Sequence, residues 1–165
     1  MILGWALHIS LRLSSSVVSS LDRGEMESLL DGVLVGHLGL CVDGGPYVVP
    51  IGFVYHDGRI YFHSYPRGRK VEALRRDPRV CFQVEEVGRL LPGSTPCKFS
   101  VEYRSIIAYG RVRFLEEDEE KLEALRLLLR KYGSSEAAEA LDGGMLGDVL
   151  VAEIAVEEMT GRSSP

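Results

Sequence analysis

The tetrapeptide HDGR at 56–59 constrains this chain more than any other feature. Asp-Gly supplies the two positive-φ positions of a type I′ turn, and such a turn joins adjacent antiparallel strands. The flanking runs fit that turn. PYVVPIGFVY at 46–55 is rich in β-branched and aromatic residues, and IYFHS at 60–64 is its return strand. Further strand-like runs lie at 33–42, 79–86, 99–115 and 149–159, with a bend expected at Gly110. Residues 87–97 carry Gly and Pro and read as a loop.

Helical patterning is sparse. Asp22 is placed to cap a helix of two to three turns that Gly32 stops. Val71 and Leu74 share one face of a short helix in RGRKVEALRR, ended by Asp77-Pro78. The clearest helix spans 116–133: acidic at its start, basic at Arg130 and Lys131, closed by Gly133, with Leu122, Leu125, Leu129 and Tyr132 expected as its buried stripe. Residues 134–144 have room for one more short helix. Six strands in a hairpin-dominated order with few helices predict a mainly β fold, an antiparallel Greek-key barrel with peripheral helices. Neither G-x-G-x-x-G nor G-x-x-x-x-G-K-[ST] occurs, so a nucleotide-like ligand would be held by another route.

Composition narrows the class. With 45% apolar and 26% charged residues, 165 residues suffice for one domain with its own core. We expect that domain over 21–165. The net charge of −5 and the scattered basic residues argue against a nucleic-acid partner. Cys41, Cys81 and Cys97 are odd in number and show no C-x-x-C spacing, which speaks against a metal site or disulfides and suits a reducing cytoplasm. The first twenty residues are expected to be a poorly packed extension. Their apolar run breaks at His8 and Arg12, too short for a membrane span, and lacks the basic start of a signal peptide.

Residues 60–70, IYFHSYPRGRK, carry the chemistry. A strand ends at His63 and Ser64, and a helix begins with Arg67, Arg69 and Lys70 in its first turns. Basic residues there oppose the helix dipole, which favours anions at that end. A bound anion resolves the conflict, because free backbone N–H groups, a hydroxyl, a guanidinium and an ammonium make a phosphate cradle. A solvated basic helix end is the competing reading, and for His63 it is a hydrogen-bonded structural histidine.

Four patches in order then resemble the split-barrel FMN-binding family related to pyridoxamine 5′-phosphate oxidase, most closely its 5-nitroimidazole-resistance branch. They are residues 44–64, 68–84, 102–116 and 156–162. The resemblance implies a six-stranded split barrel that holds FMN. His63, Ser64, Arg69 and Lys70 would hold the phosphate side, Val48, Val49, Pro50 and Ile51 would run beside the ring, and Arg104 and Ser105 would complete the site. It further implies a homodimer with each flavin at the interface. Many relatives in this branch carry a polar residue, often Asn, where this chain has Gly52. The function implied is an FMN-dependent oxidoreductase passing electrons to a small-molecule acceptor, with His63 as the candidate for proton transfer. A non-catalytic FMN carrier or sensor and a haem-binding split barrel are the alternatives; a haem ligand would have to be His8, His37, His56 or His63. A pyridoxamine phosphate oxidase proper needs a basic substrate site near its C-terminus, and residues 134–165 offer only Arg162.

Overall fold

The computed structural model describes residues 18–164. Most of the expected N-terminal extension lies outside them. Its last two residues form β1 (Ser19–Ser20), followed by α1 (Arg23–Gly32), β2 (Val35–Val42), β3 (Gly45–Gly52), β4 (Val54–His56) and β5 (Arg59–Ser64). Then come α2 (Arg69–Arg76), β6 (Arg79–Leu91), a 3-10 turn at Pro96–Lys98, β7 (Ser100–Phe114), α3 (Asp118–Lys131), α4 (Ser135–Ala140), a second 3-10 turn at Gly143–Met145 and β8 (Leu150–Ser164). All strand pairings are antiparallel.

The expected local signals act as read. Asp57 and Gly58 take φ of 48° and 75°, the left-handed values of a type I′ turn. Asp22 caps α1 in a reciprocal box, its carboxylate accepting from Glu25 N–H while the Glu25 carboxylate accepts from Asp22 N–H. At Gly110 the β7–β8 register shifts, and a Cβ there would stand 2.2 Å from the Ala155 carbonyl oxygen.

The strand order is β3-β2-β6-β7-β8-β5-β4, with β1 added beside β8. β3 and β4, a single strand in the sequence reading, therefore lie at opposite ends of the order although only Phe53 separates them. The chain crosses there and rolls the sheet into a barrel. Phe53 is fully buried, its ring edge-on to Phe82 at 4.9 Å between centroids. Leu38, Ile60, Phe62, Val84, Ile106 and Ile154 fill the same core.

Two expectations need correction. The loop over 87–97 is half strand: β6 runs on to Leu91, its register with β7 slipping between Val87 and Leu90. Gly88 sits in that slip, where a Cβ would press on the Glu102 side chain at 3.0 Å. On α3 the buried stripe is Ala124 and Leu128; Leu122, Leu125 and Leu129 are half-buried and Tyr132 is exposed. The helix lies on a small satellite cluster in which Ala124 is buried with Leu115 and Val151, and Leu125 packs against it.

A charged link pins α3 to the barrel. Glu153 on β8 is buried, and its Oε1 accepts from Arg59 Nη1 at 2.7 Å and Arg113 Nε at 2.9 Å. Arg113 also donates to both carboxylate oxygens of Glu120 on α3, and these two carboxylates raise its pKa. We expect Glu153→Ala to cost about 2 kcal/mol, the scale of a lost charged hydrogen bond rather than of a wholly buried pair, because both arginines are half exposed. A urea midpoint unchanged from wild type would refute this.

Candidate flavin-phosphate site

β5 ends in register with β8, His63 opposite Val151 and Ser64 opposite Leu150. The chain turns away at 65–68. Gly68, at φ 116°, is the N-cap of α2 and provides a conformation that side-chain-bearing residues rarely adopt. No side chain caps this helix start, and Arg69 and Lys70 are its first two residues.

Lys70 is the most informative of the group. It is half-buried, its ammonium lies 5.7 Å from the centre of the Phe62 ring, and no carboxylate forms an ion pair with it among the described residues. Burial lowers its pKa below the usual lysine range. The Arg69 guanidinium stacks 4.8 Å over the ring of Tyr47 on β3, without a carboxylate partner among the described residues. Arg67, also exposed, has none among them either. Lys70, His63, Ser64 and Tyr65 form one wall of a cleft of about 660 Å³, and residues 145–149 form the other. That volume is within the ~300–1,000 Å³ range of small-molecule sites.

β3 is an end strand, so backbone groups on its side away from β2 are free of the ladder. Val48 and Pro50 point outward, while Val49 and Ile51 point inward, Ile51 into the core. Along 48–51 a ligand at the free edge would therefore meet mainly backbone. The Tyr47–Arg69 stack sets that edge beside the start of α2. None of the four residues lines the cleft itself.

Arg104 and Ser105 do not join this group within one chain. Arg104 stands opposite Ser163 on β8, whereas His63 stands opposite Val151, twelve residues away along the same strand. That is roughly 40 Å along a strand. Arg104 donates through Nε to Glu86 at 2.9 Å. Ser105 faces the outer side of the barrel with Ile107 and Tyr109.

The sequence reading missed Tyr47, Tyr65 and the 145–149 wall. The run GGMLGD at 143–148 was the available signal: two glycines and a third before an aspartate, between a helix and a strand. The structure also accounts for Gly52. A Cβ there would stand 2.2 Å from the Tyr132 hydroxyl, which donates to the Leu34 carbonyl at 3.2 Å. Gly52→Asn should therefore cost ~1–2 kcal/mol, in the lower part of the overpacking range because Tyr132 is 40% exposed and can swing out. Adding Tyr132→Ala should remove most of that cost, and a fully additive double-mutant cycle by chemical denaturation would contradict the clash.

Fold and site define a mainly antiparallel β split barrel with peripheral helices and basic side chains gathered at a helix start. Residues 22–163 match the pyridoxamine 5′-phosphate oxidase family, and the chain belongs to it. Among solved structures, a candidate 5-nitroimidazole antibiotic resistance protein from Bacteroides thetaiotaomicron is 30% identical over 89% of this chain and 87% of its own, with a TM-score of 0.77. An FAD-binding protein from Mesorhizobium loti is 28% identical over 90% of this chain and 99% of its own, with a TM-score of 0.68. An FAD and haem binding protein from Mycobacterium smegmatis shares the fold at a TM-score of 0.80 and 22% identity, over 89% of this chain and 73% of its own. Comparison with curated proteins returns no match. Among the described residues no helix is long and apolar enough to cross a membrane.

Proposed function

We propose that this chain binds FMN and serves as an oxidoreductase that passes electrons from the reduced flavin to a small-molecule acceptor. One observation carries the proposal: Lys70 is a half-buried cation with no carboxylate partner among the described residues, set beside Ser64 and an uncapped helix start. Removing an ammonium from water without a counter-ion is unfavourable, so the fold keeps a cost that a bound phosphate would offset. The family relationship and the flavin-binding relatives support a flavin as the phosphate's owner.

In this reading Lys70, Arg69 and Ser64 hold the phosphate, and the free edge of β3 at 48–51 runs beside the ring. The flavin supplies the redox chemistry when bound. His63, exposed in the cleft, is within reach of a ligand and is the candidate for proton transfer. Arg104 and Ser105 would reach the site from a second copy, which makes the functional unit a homodimer. The free thiols suit a cytoplasmic setting.

The absorption spectrum of the purified protein, with FMN titrated into any apo fraction, tests the cofactor. A flavin spectrum and saturable FMN binding are expected; a Soret band without flavin binding would replace this reading with the haem alternative. Anaerobic reduction followed by addition of candidate acceptors separates enzyme from carrier. If no acceptor reoxidises the protein faster than oxygen does, the oxidoreductase assignment falls and a carrier remains.

A further inference from the structure

The β6–β7 hairpin outruns the rest of the sheet. β2 pairs with β6 only as far as Gln83, and the last described residue of β8, Ser164, stands opposite Tyr103. Beyond these points residues 87–91 and 100–102 pair only with each other among the described residues. A two-stranded ribbon by itself is marginally stable in water at best. The two faces of this arm differ. Cross-strand partners share a face, which groups Val87 and Tyr103 with Leu90 and Val101. Phe99 joins them at the tip, where Leu90, Pro92, Phe99 and Val101 line a groove of about 590 Å³. The strands' other face carries the Arg89–Glu102 ion pair. Leu90 is 82% exposed, Val87 64% and Phe99 63%. One arm thus holds a contiguous apolar face in water, which marks a surface that something covers.

The course of β1 points to what covers it. Ser20 pairs with Arg162 and Ser19 with Ser163, so the chain traced back from Ser20 advances along β8 towards Ser164 and the base of the arm. Residues 1–17 lie upstream of that point, and nine of the thirteen residues 1–13 are apolar, Trp5 among them. The reach is sufficient. From a position opposite Ser164, Val101 is two residues on, about 7 Å along the strand, and about 10 Å across two strand spacings, roughly 12 Å in all. Residues 14–17 extend to roughly 14 Å. We propose that residues 1–13 dock on the apolar face of the β6–β7 arm of their own chain, with Trp5 as one of the anchoring side chains. The segment then covers Leu90 and Phe99, and the arm gains the packing that two strands alone do not have.

Trp5 is the single tryptophan of the chain, so its fluorescence reads this segment alone. In the full-length protein its emission is expected to be blue-shifted from that of a free tryptophan amide, with acrylamide quenching several-fold weaker. Neither value should change with protein concentration. Leu90→Asp with Phe99→Asp, at exposed positions outside the core, should return both to those of the free amide, with circular dichroism and the melting temperature showing the barrel intact. Leu7→Asp with Leu11→Asp alters the segment and leaves the arm as it is, and should free Trp5 in the same way. The emission of a free amide in the wild-type protein would overturn the proposal. Shielding that survives in the Leu90 and Phe99 variant would also overturn it, since the segment would then pack elsewhere. Shielding that appears only as concentration rises would assign the arm to a second copy instead, and shielding that requires phosphatidylcholine vesicles would assign it to a lipid surface. Each of these results leaves the flavin reading untouched, because the arm proposal does not use it.

Discussion

Replacing Arg69 and Lys70 together by alanine is expected to weaken FMN binding at least about 100-fold while leaving the apo protein no less stable. A hydrogen bond to a charged group contributes ~1.5–3 kcal/mol, and each 1.4 kcal/mol is tenfold in affinity, so two lost phosphate contacts give roughly 10²–10⁴. The stability half follows from the sign of the Lys70 shift. Its folded pKa lies below the ordinary lysine value because burial penalises the charged form. Below that folded pKa the unfolded chain holds the ammonium more favourably than the folded one does, so Lys70 lowers stability there; the deficit shrinks as pH rises towards the unfolded value. Lys70→Met removes the charge and keeps the packing against Phe62. It should raise the apo melting temperature slightly while weakening FMN binding. A structural lysine predicts loss of stability with no change in affinity. Thermal melts beside FMN titrations decide between them, and retention of full FMN affinity in the double variant would eliminate the phosphate assignment. The linkage also sets a pH trend: FMN affinity should fall as pH rises through the folded pKa of Lys70, because the ammonium that meets the phosphate is then lost.

The parts of this fold set by local chemistry were legible in the sequence. Asp57-Gly58 fixed a hairpin, Asp22 with Glu25 fixed a helix start, and Gly110 marked a bend. The parts set by tertiary packing were not. Nothing local in PYVVPIGFVY says that the chain leaves one edge of the sheet at Phe53 and joins the opposite edge; that depends on the Phe53 ring finding Phe82. The face of α3 was misread because its leucines outweigh Ala124 in any hydrophobic pattern, although Ala124 is the α3 residue buried against Leu115 and Val151. The same division holds at the site. Residues 63–70 could be picked out because the conflict of Arg69 and Lys70 with the helix dipole is local. Tyr47, Tyr65 and Asp148 carry no such local conflict, and only the folded chain brings them to the cradle or cleft. The likeness to known flavoproteins grouped Arg104 and Ser105 with that cradle, and one chain does not bring them there.

In the homodimer proposed above, Ile107→Asp is expected to separate the two copies and to abolish FMN binding with them. The argument is in the outer face of the sheet. Cross-strand neighbours share a face, so Val48, Gly39, Cys81 and Tyr109 form one row and Pro50, His37, Gln83 and Ile107 the next. Val48 is 61% exposed, Tyr109 50% and Ile107 40%, an apolar surface that a monomer would leave in water. Ser105 lies on this same face, two residues from Ile107. A two-fold contact through it would bury the same patch on both copies and would set Ser105 of one copy against the other, with Arg104 at the margin of that contact. A carboxylate at 107 would be buried unpaired at that contact, which costs several kcal/mol. Sedimentation velocity reads the assembly, and circular dichroism shows that the monomer is folded. Complementation shows whether the site is shared. Subunits carrying Arg69→Ala with Lys70→Ala, and subunits carrying Arg104→Ala with Ser105→Ala, should each bind FMN poorly as homodimers. In a mixed dimer, the intact cradle of one meets the intact Arg104 and Ser105 of the other, and one site per dimer should return. If each site lies within one chain, every subunit of the mixed dimer stays defective and no binding returns.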